Sequence, residues 1–110
     1  MEGGRERRKL RRHRAHVPVE FRSATLRGAG EITNISKAGL FIRAHLLPMP
    51  GDRLSITIRP ASPASFVVHG AVCWNTDQLP QNERGSPGFG VQIAADDPRF
   101  MAFFEEMLTT

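Results

Sequence analysis

The sequence predicts a mainly β fold, a small barrel or sandwich of about six short strands closed by one C-terminal helix. Three observations carry this. Apolar residues alternate with polar ones at Val17, Val19 and Phe21 and again at Leu54, Ile56 and Ile58, the period of a strand with one buried face. Ten Gly and eight Pro break the chain of 110 residues into short runs, so turns are frequent. After Asp96-Asp97-Pro98 the apolar period changes to that of a helix. A chain of this length forms one domain and builds one core.

The elements follow in order. Residues 1–15 are basic and lack an apolar period, and read as a flexible arm preceding a barrel domain over 16–110. The first strand begins at His16, and Pro18, which cannot donate to a ladder, places it at an edge or marks where it begins. Gly28-Ala29-Gly30 reads as a turn. Strands follow over 30–35 and 39–44, joined by a tight turn at Ser36-Lys37-Ala38. Pro48, Pro50 and Gly51 form a loop before the strand of Leu54, Ile56 and Ile58. Phe66 to Trp74 is a longer β-rich run in which Gly70 marks a bulge or a close backbone approach. Cys73, beside Trp74, reads as a buried, inert thiol. Residues 75–87 are polar and read as a mobile hairpin loop, and Gly88 to Ile93 is the last strand. Asp96-Asp97 then caps a helix with Pro98 in its first turn, whose apolar face carries Phe100, Met101, Phe103, Phe104, Met107 and Leu108.

Charge is divided unevenly along the chain. Residues 1–16 hold Arg5, Arg7, Arg8, Lys9, Arg11, Arg12 and Arg14 against Glu2 and Glu6, so the overall charge of +4 sits entirely in this arm. Such a block acts as an interaction tail for anions, and a phosphate-bearing partner is expected. A nucleic-acid tether fits less well, because no aromatics interleave with the basic residues and the remainder is slightly acidic.

Catalytic patterns are missing. The four His are scattered without a metal-ligand pair, the single Cys73 excludes multi-cysteine metal sites, and no GxSxG, phosphate-loop or GxGxxG pattern occurs. A non-enzymatic chain without a membrane span or secretory signal is expected, and a cytoplasmic location with it.

The informative segment is Asn34-Ile35-Ser36-Lys37-Ala38-Gly39. Asn34 and Ser36 fall on the same face of a strand, offering two short hydrogen-bonding groups, and Gly39 allows a positive φ or lets another group approach the backbone. The same residues also suit an ordinary turn.

The order of basic arm, strand and Asn-x-Ser-x-x-Gly resembles the PilZ domain family, whose members bind cyclic di-GMP. That family carries an RxxxR motif ahead of its first strand and a [D/N]xSxxG motif after it. The second matches in full at Asn34, Ser36 and Gly39, followed by Leu40-Phe41-Ile42. Gly70 to Trp74 and Gly88 to Val91 also look like the family's barrel. For the first motif, Arg12 takes the first place while His16 holds the second, and registers shifted back pair Arg8 with Arg12 or Arg7 with Arg11.

The resemblance implies a six-stranded antiparallel barrel with a C-terminal helix. It also implies a cyclic di-GMP site built from Arg8, Arg11, Arg12, His16, Asn34, Ser36 and Gly39, with no metal. Arginine suits that ligand, since its planar fork meets phosphate oxygens and the guanine edge alike. The implied function is a receptor that folds its arm over the dinucleotide and signals through a downstream protein, as a monomer or a ligand-linked dimer. The alternative is a degenerate PilZ-like adaptor that works by protein contacts alone.

Overall fold

A computed structural model of the chain describes residues 13–60, 64–94 and 97–109. Six strands form a closed barrel: β1 (His13–Arg22), β2 (Arg27–Ile35), β3 (Gly39–Arg43), β4 (Arg53–Ile58), β5 (Phe66–Asn75) and β6 (Gly88–Ile93). Around the barrel they run β1-β2-β3-β6-β5-β4, with every neighbouring pair antiparallel and β4 closing back onto β1. One helix, α1 (Pro98–Thr109), follows.

The alternation read from the sequence sets the core. Val17, Val19 and Phe21 of β1, Leu54, Ile56 and Ile58 of β4, and Phe89, Val91 and Ile93 of β6 all point inward and are buried. The Phe21 and Phe89 rings meet edge to face across the interior, with centroids 4.9 Å apart. Asp97 caps α1, its Oδ1 accepting from the backbone N–H groups of Arg99 and Phe100. The helix buries Phe100, Phe103 and Phe104 and packs Met101 and Met107 against the core, whereas Leu108, expected on the same face, is exposed. Phe103 packs on Phe66 at the start of β5 and Phe104 on His13 at the start of β1.

Four local readings need correction. Pro18 marks no edge, because β1 is paired on both sides in the closed barrel, and Pro18 stands just before the ladder with β4 that starts at Val19. The first strand begins at His13, not His16. Ala15 is buried, and the run pairs with β2 at His13–Ile35 and Arg14–Asn34 before a bulge restores the register at Val17–Ile32. The alternation runs unbroken from Ala15 to Phe21, but an alanine among basic residues is too weak an apolar signal to extend the strand.

Gly28-Ala29-Gly30 is strand, not turn. The turn lies at Ser23–Leu26, where Ser23 Oγ accepts from the N–H groups of Thr25 and Leu26. These glycines serve close packing: a Cβ at Gly28 would fall 2.7 Å from the Phe21 ring, and one at Gly30 would strike the Arg43 carbonyl.

The segment after β5 is held, not free. Asn75 and Gln78 form a reciprocal capping box, Asn75 Nδ2 donates to the Pro48 carbonyl at 2.9 Å, and Arg84 donates to the carbonyls of Leu79 and Asp77. Thr76 Oγ1 accepts from Gly88 N–H, tying the far end of the loop to the start of β6.

Candidate functional site

The Asn34 to Gly39 segment forms the corner between β2 and β3. Ser36 N–H donates to the Gly39 carbonyl at 2.9 Å, and Ser36 Oγ accepts from Ala38 N–H at 3.3 Å. The serine therefore builds the turn. Asn34 has looser ties: its one side-chain hydrogen bond among the described residues goes to Thr33 Oγ1 at 3.5 Å, a weak contact. Gly39 is required by packing, because a Cβ there would collide with the Val91 carbonyl on β6.

Beside this corner lies a groove of 230 Å³ on the outside of the barrel. Asn34, Ser36 and Gly39 line one side, and Cys73, Trp74, Gly90 and Gln92 line the other. Its floor is aromatic. Phe41 and Trp74 stand on either side of Gly90 in the cross-strand register, with ring centroids 5.5 Å apart and planes tilted by 33°. Glycine at 88 and 90 makes room for them. A Cβ at Gly90 would sit 2.5 Å from the Trp74 Nε1, and one at Gly88 would sit 2.5 Å from the Phe41 ring. The rings lie flat against the sheet and remain partly open to solvent.

Cys73 is not buried. The inward set of β5 is Val68 and Val72, so Cys73 faces outward into the groove, and a register shift between Val72 and Trp74 brings the indole to the same side. The Val68–Val72 parity was present in the sequence and would have given its orientation.

His16 faces elsewhere. Its side chain is 80% exposed, with Nδ1 3.5 Å from Glu31 Oε2, and the other Glu31 oxygen accepts from Arg43. Neither His16 nor Arg14 is among the residues that line the groove. The basic side chain set directly across from Asn34 is instead Arg14, on exposed strand surface. No described carboxylate pairs with Arg14. Arg8, Arg11 and Arg12 lie outside the described residues.

Sequence reasoning passed over Arg14, Phe41 and Trp74. The legible signals were glycines at alternate positions 88 and 90, which a sheet uses to accept rings from neighbouring strands.

Comparison with protein-family models matches the PilZ domain over residues 6–108. The chain belongs to the PilZ domain family. PilZ domains are binding and adaptor modules of the cyclic di-GMP receptor family. Among solved structures, the PilZ fold here is similar to that of the Bacillus subtilis inhibitor of motility (MotI/DgrA), with a TM-score of 0.69 at 16% identity. The match covers 94% of this chain and 50% of that one, so this PilZ domain spans about half the length of that neighbour. Comparison with curated proteins gives no match. No helix among the described residues is long and apolar enough to cross a membrane.

Proposed function

We propose that this PilZ domain is a cyclic di-GMP receptor, with Asn34, Ser36 and Gly39 at the corner and Arg8, Arg11, Arg12 and His16 as the ligand residues of the arm side. The observation that carries the reading is that the Asn-x-Ser-x-x-Gly corner and the Phe41–Trp74 floor line one groove. A purine can lie on the rings while the corner's amide and hydroxyl take its polar edge. At 230 Å³ the groove is smaller than the roughly 300–1,000 Å³ of sites that enclose a ligand. It serves as a floor, and the arm supplies the cover. Folding the arm costs roughly 1–2 kcal/mol per backbone residue ordered, so several arginine contacts to phosphate are needed to offset it. The closed arm then presents a new surface to a downstream protein.

Calorimetry with cyclic di-GMP, and with GTP and GMP as controls, tests the reading. Micromolar binding of the dinucleotide alone supports it, and absence of heat with all three rejects it. Asn34→Ala is expected to weaken binding about tenfold, the loss of one or two hydrogen bonds to a charged or polar ligand. Its melting temperature stays near that of the parent, because its side chain holds little of the fold together. A variant that loses stability and retains affinity would return the motif to the role of a turn.

Arg14 joins the set through its register with Asn34. Arg14→Ala is expected to cost more affinity than His16→Ala, since His16 is engaged with Glu31. The reverse order would make His16 the second cation of the motif. The contact of His16 with Glu31 also favours the second reading, a PilZ adaptor without a nucleotide. A parent that binds nothing, with His16→Arg gaining affinity, would select it.

A further inference from the structure

A second depression of 740 Å³ lies on the outer surface of β1, β4 and β5, bounded by the Ser23–Ala24 turn and by Gly51. Arg22, Arg53, Ser55 and His69 line it. The strand register sets them in a row: Arg27 is opposite Arg22, Arg22 is opposite Ser55, and Ser55 is opposite His69. Arg53 stands two residues along β4 on the same face. At a strand spacing of about 4.8 Å, the row crosses four strands over roughly 14 Å. Ser55 Oγ and His69 Nδ1 are 3.3 Å apart, which fixes the imidazole against the sheet.

The charges in this row are not neutralised by the described residues. None of Arg22, Arg27 and Arg53 has a described carboxylate partner. The acidic side chains nearest in sequence are engaged elsewhere, Glu20 with Arg59 and Asp52 with the Met49 N–H. Like charges set directly opposite weaken a strand pair. The Arg22–Arg27 pair closes a hairpin whose turn Ser23 already holds, so the two guanidinium groups add nothing to the turn. A row of planar guanidinium forks is complementary to carboxylates repeated along an extended chain. It offers no ring beyond the His69 imidazole on which a base could stack, which disfavours a single-stranded nucleic acid.

We propose that this row docks an acidic segment of a protein partner, independently of what the groove beside Trp74 binds. The probe is fluorescein-labelled octaglutamate, followed by anisotropy against the whole chain at low salt, with octaglutamine and an eight-residue oligothymidylate as comparisons. Arg22→Glu and Arg53→Glu are each expected to weaken octaglutamate binding about tenfold or more. Arg99→Glu, the same charge change on the helix, leaves it unchanged. Arg22→Glu also melts no lower than the parent, because it sets a glutamate opposite Arg27, which separates lost docking from lost folding. The proposal is overturned if both variants bind octaglutamate like the parent. It is equally overturned if joint alanine substitution of Arg8, Arg11 and Arg12 abolishes binding while the row is intact, or if the oligothymidylate binds more tightly through the same arginines.

Discussion

Alanine in place of Gly39 is expected to destabilise the domain by about 3 kcal/mol or more, beyond the usual cost of an added methyl group in a packed interior. The added Cβ meets backbone, the Val91 carbonyl, and not the movable end of a side chain. Relief requires β3 and β6 to separate, and Gly39–Gln92 and Leu40–Val91 are the pairs that hold the corner to the barrel. For a domain of this size the melting temperature falls by roughly 10 °C or more. Gly51→Ala is the control. Gly51 has φ +94° with nothing near its added Cβ, so alanine there incurs only backbone strain, about 1–2 kcal/mol. Thermal melts of the two variants decide the matter, and equal losses would remove close approach as the reason for Gly39.

Trp74→Ala carries the largest expected effect on binding. If a guanine of cyclic di-GMP stacks on the indole, removing it costs about 1–3 kcal/mol, or roughly five- to 150-fold in affinity. Trp74→Phe keeps a ring over Gly90 and recovers most of that loss. Gly90→Ala attacks the same surface from below, lifting the indole off the sheet while keeping it in the chain. Calorimetry on these three variants gives an ordered series, weakest for Trp74→Ala. An alanine variant that binds like the parent would leave the rings as packing alone.

Much of the fold was legible because burial on one face writes itself as period two. β4 and β6 were readable residue by residue, and the cap at Asp97 was visible as an acidic residue before Pro98. What failed depended on contacts between distant segments. Gly28 and Gly30 carry the composition of a turn, yet their purpose is set by Phe21 and Arg43, which no local pattern reveals. The start of β1 was hidden because its inward residue is only an alanine among basic neighbours, and with it went the position of Arg14 beside Asn34. The clamp at Asn75 and Gln78 was a different failure, since its Asn-x-x-Gln spacing stands in the sequence and was overlooked beneath a polar composition. Of the site, the corner could be found from short residues around a glycine. The aromatic floor needed the pairing of β3, β6 and β5 to bring Phe41 and Trp74 across Gly90.

His13 touches Phe104, and its neighbour Arg14 stands across from Asn34. The first strand and the last helix therefore meet at one pole of the barrel, within two residues of the groove's corner. The packing of the helix and the corner of the groove thus draw on consecutive residues of one strand.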